Sequence, residues 1–239
     1  MQSNQASEDR LLRAIQELRT KIAELREHKL SIGEQDTKGV LIEPLIEAIG
    51  WDCRNVFDVQ REYRSKSADN PVDYALMVDG KPQLFIEAKQ WHTNLAEPRC
   101  VNQTVSYAAV CGVKWCVLTD GEEYRIYNSH APVDAEQKLF RVVRITDEAA
   151  TPETLNTLHL LSKTSIKTDE LSKVWDMLFV ERQVSDVLKA LLAAPPHNLV
   201  SLVAKHCREV TPRQVRDCLS RAEVQIAFRP AGSAPPAIA

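Results

Sequence analysis

The chain has 239 residues, 44% of them hydrophobic and 26% charged; this composition excludes collagen-like, mucin-like and intrinsically disordered classes and leaves room for one large domain or a domain with an appendage. With 30 Lys plus Arg against 33 Asp plus Glu the net charge is -3, which excludes a wholesale polybasic nucleic-acid binder but not a local basic surface. No apolar run approaches the roughly 20 residues of a membrane span, and Met1–Arg10 lacks the apolar core of a secretory signal, so a cytoplasmic protein with no membrane partner is expected. Cys53, Cys100, Cys111, Cys116, Cys207 and Cys218 form no C-x-x-C pair and read as reduced core residues, not as zinc ligands or disulfides.

Leu11, Ile15, Leu18, Ile22 and Leu25 alternate at spacings of four and three residues, the a/d seam of a coiled coil. The seam suits a helix packed on its own domain or a homodimerisation arm over residues 1–30. Ser31 with Glu34 fits a capping box opening a helix over Glu34–Ile49, with Pro44 marking a kink or a later start. Strand patterns follow: Val56–Tyr63, a polar loop Arg64–Asn70, then Val72–Val78 and Leu84–Ala88 joined by Asp79-Gly80, a strong hairpin turn. A helix is predicted over Val101–Val110, then a second hairpin, Val113–Leu118 and Tyr124–Tyr127 around Asp120-Gly121.

From about Glu148 the pattern is helical: Pro152–Leu161, Thr168–Phe179, Gln183–Leu192, Leu199–Cys207 and Thr211–Ala222, the last with Thr211 as N-cap and Pro212 at the first helical position. The order predicts an α/β fold, a mixed central β-sheet flanked by helices over residues 31–147. An N-terminal helical arm over 1–30 precedes it, and a helical C-terminal region over 148–229 and a Pro/Ala-rich tail over 230–239 follow.

The chemistry concentrates on the first hairpin. Asp73 and Glu87 lie near its open end, and side-chain alternation puts Glu87 and Lys89 on one face. A carboxylate beside apolar strands needs a partner, and a hard divalent cation such as Mg²⁺ supplies one. Two acids and a lysine at a sheet end suit phosphodiester hydrolysis; a salt-bridged sheet end without chemistry is the plainer reading. Glu136-Gln137-Lys138 repeats the acid-x-Lys spacing without a preceding apolar strand and reads as solvated loop.

Asp73 followed by Glu87-x-Lys89 resembles the PD-(D/E)xK nuclease superfamily. The surrounding text is similar to the N-terminal nuclease domain of type I restriction enzyme R subunits. The similar stretches are Glu34-Gln35-Asp36-Thr37-Lys38, Pro44 to Asp52, Val72 to Leu76, Asp79 to Pro82, Ile86 to Lys89 and Leu118 to Gly121, over about residues 30–130. The resemblance implies a restriction-endonuclease-like fold and a metal-dependent DNA endonuclease in restriction or phage defence. It makes Asp73 and Glu87 metal ligands, joined by the Ala88 carbonyl, on Mg²⁺ (or Mn²⁺), with Lys89 as the catalytic lysine. Relatives also carry a glutamine and a tyrosine four residues apart after the core, matched by Gln103 and Tyr107, which share a helix face and could hydrogen-bond Lys89 or a phosphate; an amphipathic helix with a buried Tyr107 is the alternative.

An acid on the first helix is also implied. Glu34 and Glu43 compete, and nine residues of α-helical rotation put them on opposite sides. The apolar residues Val40, Leu41, Leu45, Ala48 and Ile49 share the side of Glu34, so Glu34 is preferred and Glu43 is expected to face away. The sequence has no G-x-x-x-x-G-K-[ST], so ATP and translocation are not expected of these residues; a restriction-modification or helicase partner would supply them. Arg61, Arg64 and Lys66 are candidate phosphate contacts, and Arg213, Arg216 and Arg221 suit either a helix-turn-helix or a solvated helical cap. The alternative function is a non-cleaving DNA-binding or scaffold module that keeps the fold; a structural partner of a methyltransferase or helicase is a third.

Overall fold

The computed structural model describes residues 2–65 and 70–228; Lys66 and the tail over 230–239 lie outside the described residues. The chain divides into two compact units, Met1–Leu171 and Ser172–Ala239.

In the first unit, α1 (Gln2–Glu27) precedes a helical run made of α2 (Glu34–Thr37), a π-helical turn (Lys38–Ile42) and α3 (Glu43–Ala48). Six strands form one sheet in sequence order: β1 (Val59–Tyr63), β2 (Val72–Val78), β3 (Lys81–Ala88), β4 (Trp115–Thr119), β5 (Glu123–Asn128) and β6 (Leu139–Arg144). Only β3 and β4 run parallel, joined through α4 (Pro98–Val110), and every other neighbouring pair is antiparallel. α5 (Thr151–Leu160) and α6 (Lys163–Lys167) complete the unit. The expected mixed sheet with flanking helices is present.

Pairing places the side chains of the two faces in rows. Ala75, Phe85, Cys116 and Tyr127 occupy one row and form a core with Val101, Val105 and Ala108 of α4. Tyr74, Ile86, Val117 and Ile126 occupy the next row, on the opposite face, where the helical run lies: the Tyr124 hydroxyl donates to the Leu41 carbonyl and the Tyr74 hydroxyl to Glu43. The first hairpin is as expected. Asp79 and Gly80 both take positive φ, 51° and 76°, the type I′ pattern that matches strand twist.

Several expectations need correction. Leu11, Ile15, Leu18, Ile22 and Leu25 are all buried within this chain, so the α1 seam is not a dimerisation surface. Burial of each stabilises the fold by roughly 1.5–3 kcal/mol at most. Arg10 donates to the Ala48 carbonyl, and Arg19 to the carbonyls of Ile145 and Asp147, which fixes α1 along this unit. Ser31 caps nothing: α2 has Gly33 at its N-cap, without a side-chain hydrogen bond. β6 was not predicted, and the 3₁₀ turn Ala135–Lys138 replaces the loop expected there. The second turn is three residues, Asp120 to Glu122, closed by the Asp120 carboxylate accepting from the N–H groups of Glu122 and Glu123.

The second unit contains most of α7 (Glu170–Ala193), one helix where two were expected, then α8 (His197–His206) and α9 (Pro212–Leu219). Thr211 caps α9 as expected, in a reciprocal box with Gln214. Arg216 donates to the Pro195 carbonyl and Arg221 to that of Asp217, which suits the helical-cap reading of these arginines. Cys207 and Cys218 are exposed, which departs from the expectation of core cysteines. Among the described residues no single helix is long and apolar enough to cross a membrane.

Gly121 is where the helical run meets the sheet. Its φ is +85°, and a Cβ there would stand 2.4 Å from Leu41 Cβ, so the expected cost of Gly121→Ala is about 2–4 kcal/mol of unfolding free energy. Gly80→Ala meets nothing within 4 Å and should cost only the conformational strain, about 1–2 kcal/mol. Denaturant titration of both variants checks the difference, and equal losses would remove the close-packing argument.

Candidate active site at the end of the first hairpin

The β2–β3 register pairs Tyr74 with Ile86 and Ala75 with Phe85; one step further it sets Asp73 opposite Glu87. The β1–β2 register, Arg61 with Tyr74 and Tyr63 with Val72, likewise sets Glu62 opposite Asp73. Three acids therefore stand side by side across three strands. Like charges directly opposite on a sheet repel, and the Asp73 and Glu87 side chains are only 11% and 15% exposed, so solvent does little to screen them.

Two lysines answer this repulsion. Lys89 continues beyond β3, its N–H donating to the Thr119 carbonyl, and its ammonium lies 2.7 Å from Glu87 Oε1. Lys38 comes from the helical run and is itself buried. Its Nζ lies 2.5 Å from Asp73 Oδ1, 3.1 Å from Glu34 Oε1 and 3.7 Å from Glu62 Oε1. The other Asp73 oxygen, Oδ2, accepts the Ala88 N–H at 2.6 Å, which ties the two acidic strands together at backbone level. Burial pushes the Glu87 carboxyl above the ordinary glutamate value, Asp73 adds to the rise, and Lys89 opposes it. Burial would lower the Lys89 ammonium, but the hydrogen bond and charge of Glu87, with Asp73 and Glu34, raise it overall.

Asp73, Glu87, Ala88, Lys89 and Glu34 are thus gathered at one sheet end. Lys38 and Glu62 are the members that sequence reading missed. The signal for Lys38 was Glu34-x-x-x-Lys38, an i,i+4 pair. Nothing in sequence marked Glu62, because its place depends on strand register.

The π-helical turn changes the argument about the first-helix acid. Glu43 N–H donates to the Lys38 carbonyl, five residues back, where Pro44 lacks the N–H that would continue the α pattern. Rotation counted at 100° per residue therefore does not hold from Lys38 to Ile42. Glu43 does not face away from the sheet: its Oε1 accepts from Tyr74 and Arg61 at 3.2 and 2.9 Å. Tyr74 and Asp73 point to opposite faces, so of the two acids it is Glu34 that shares a lysine with Asp73. Arg61, an exposed candidate for phosphate contact, bonds Glu43 and also donates from Nη1 to the Cys53 carbonyl at 2.7 Å.

Gln103 is exposed on α4 and, with Tyr107, lines a cavity of about 280 Å³ that also includes Glu87, Val72 and Asn70. Tyr107 is half-buried and stacks on Phe85 at 5.7 Å, and its hydroxyl donates to the Tyr63 carbonyl at 3.5 Å. It is therefore directed to the end of β1.

The donor set suits a hard divalent cation. Within this network four carboxylates (Glu34, Glu62, Asp73, Glu87) face two ammonium groups (Lys38, Lys89), an excess of two negative charges. Among the described residues no group of three or more His, Cys, Asp or Glu is placed to hold a metal. The donors at hand are two carboxylates, Asp73 and Glu87, a number that fits Mg²⁺, an ion that keeps several waters and takes one or two protein carboxylates.

Residues 34–141 match the family model described as type I restriction enzyme R protein N terminus (HSDR_N). The matched residues, a little under half of the chain, are similar to that family. No curated protein matches the chain. Among solved structures, the type IIG restriction endonuclease BpuSI aligns with 68% of this chain at 14% identity and a TM-score of 0.39. A DrdV–DNA complex aligns with 86% at 13% identity and a TM-score of 0.43. The matched region is 20% of either of those chains, so this chain corresponds to about a fifth of their length.

The segment after Lys89 is held by Trp91, whose N–H donates to Thr37 Oγ1 and whose indole N–H donates to Glu122. Glu122 also accepts from Arg26 and Thr146. Burial alone would raise its carboxyl, but Thr146, Trp91 and Arg26 together hold it below the ordinary glutamate value. A depressed carboxyl stabilises the fold above its unfolded-state pKa, and that stability is lost as pH falls through its folded-state pKa. Glu122→Gln should therefore lower unfolding free energy by about 1–2 kcal/mol at pH 7, with the deficit shrinking toward pH 3. Urea titrations across this range check it, and a deficit that grows on acidification would contradict the assignment.

Proposed function

We propose that the domain over residues 34–141 is a metal-dependent DNA endonuclease of a restriction system, acting in the cytoplasm and hydrolysing phosphodiester bonds. The observation that carries this reading is the pairing of Asp73 opposite Glu87 with Lys89 at 2.7 Å from Glu87, in an acid-rich site inside a segment similar to the N terminus of type I restriction enzyme R proteins. Asp73, Glu87 and the Ala88 carbonyl would hold Mg²⁺ or Mn²⁺. The ion would lower the pKa of a bound water and offset charge growing on the phosphorus oxygens.

The protein's own groups do the rest. Asp73 is fixed through its bond to the Ala88 N–H, and this keeps the two acidic strands in register. Lys89, cationic and hydrogen-bonded to Glu87, is placed to orient an attacking water or to neutralise a phosphate oxygen in the transition state. Gln103, exposed in the cavity wall beside Glu87, offers a donor to a phosphate oxygen. Tyr107 acts as a positioning residue, through its contact with Phe85 and β1. Glu34 supports the site through Lys38. A helicase or restriction-modification partner is part of this reading, and ATP is not expected to be needed for the cut itself.

Supercoiled plasmid incubated with the purified protein and Mg²⁺ or Mn²⁺ should be nicked or linearised. Asp73→Asn, Glu87→Gln and Lys89→Met should each lower the rate by roughly 10²-fold or more, with circular dichroism unchanged. Wild type as inert as the variants over a range of DNA substrates would favour the non-cleaving scaffold reading.

A further inference from the structure

Lys38 is the most enclosed charge of the site. It is 7% exposed, and three carboxylates from three different elements converge on its ammonium: Glu34 from α2, Glu62 from β1 and Asp73 from β2. Burial would lower its pKa, but the hydrogen bonds and charges of Asp73 and Glu34 raise it well above the ordinary lysine value, so it is an ammonium at any physiological pH. Its shortest contact, 2.5 Å, is to Asp73 Oδ1. The other oxygen, Oδ2, is held by the Ala88 N–H, which leaves Oδ1 as the oxygen facing a cation.

We propose that Lys38 is an internal counter-ion that occupies the Asp73 position of the metal centre and must withdraw from Asp73 Oδ1 for a divalent cation to bind there. Glu34 and Glu62 are its retreat: with both still in reach, the ammonium leaves Asp73 without becoming an unpaired buried charge. Three features make this an exchange and not a fixed salt bridge. The lysine sits on the first residue of a π-helical turn, a local irregularity of the helix ladder. Glu62 takes a positive φ of 51° inside β1, a strained conformation for a non-glycine residue, at the register position opposite Asp73. The network carries two negative charges more than its lysines neutralise, so arrival of a dication balances it without expelling the lysine to solvent.

This inference rests on the metal-centre reading and concerns metal affinity in the absence of DNA. Mn²⁺ and Mg²⁺ binding is measured by isothermal titration calorimetry on the full chain, together with the melting temperature with and without metal. Lys38→Met should tighten cation binding by about tenfold or more, from loss of a competing charge at contact distance, and should lower the melting temperature of the metal-free protein. Glu62→Gln, an exposed and conservative change, should weaken binding in the wild-type background. In the Lys38→Met background its effect should shrink, because Glu62 acts through the lysine it receives.

Cation binding that is unchanged or weaker in Lys38→Met would overturn the proposal and leave the metal centre standing, provided that Asp73→Asn abolishes binding. An effect of Glu62→Gln equal in both backgrounds would also overturn it, because Glu62 would then act as a simple surface charge. Should Lys38→Met fail to fold, Lys38→Gln with the Glu62→Gln cycle carries the same comparison. If neither wild type nor any variant binds a divalent cation, the metal-centre reading falls and takes this proposal with it.

Discussion

Two carboxylates placed opposite each other on neighbouring strands, at a sheet end where little solvent reaches them, are the constraint from which the rest of the site follows. The register of β2 and β3 sets Asp73 against Glu87, and the Ala88 N–H bond to Asp73 locks that register. Such a pair is unstable unless cations compensate it. The chain meets the need twice: once locally, with a lysine two residues along from Glu87, and once at long range, with a lysine delivered by a helix from the other layer. The sheet thus depends on the helical run for more than apolar cover.

Backbone irregularity gathers at the same place. The helical run passes through a π turn at Lys38–Ile42, where Pro44 interrupts the ladder, and β1 contains Glu62 at positive φ. Each departure re-aims a side chain that a regular element would direct elsewhere. Regular packing resumes away from this end, in the rows from Ala75 to Tyr127 and from Tyr74 to Ile126. Strain that persists beside a charged cluster is better explained by what the cluster does than by folding.

What the sequence disclosed follows from how local each signal was. The first hairpin was legible because Asp79-Gly80 demands positive φ at both turn positions and apolar residues flank it. Asp73, Glu87 and Lys89 came with it, since their relation is set by alternation across one turn. β6 escaped because its charges at Arg141 and Arg144 hide a short alternating strand, Leu139–Arg144. The α1 spacing could not separate packing within the chain from packing between chains, because both bury the same stripe; only the fold shows Ile15 and Ile22 fully enclosed. Lys38 was visible as half of an ordinary i,i+4 pair with Glu34, and its link to Asp73 needs the placement of the helical run over the sheet. Glu43 was misjudged for a related reason, since a π turn cannot be read from apolar spacing.

The two lysines differ in one respect that decides how such a site can work. Lys89 is tied by sequence to Glu87 and by its backbone to Thr119, so it remains beside the acids whatever else is bound. Lys38 has two alternative carboxylates besides Asp73, Glu34 and Glu62, and opens a π-helical turn. A fixed cation and an exchangeable one have different uses: the first can act on a substrate, whereas the second offsets the repulsion among the acids until another charge takes its place on Asp73. The arrangement lets the metal-free fold tolerate an acidic cluster without giving up the negative charge that would attract a dication. A sheet end with Lys89 alone would leave Asp73 uncompensated, and one with two fixed lysines would leave too little negative charge to draw in a metal ion.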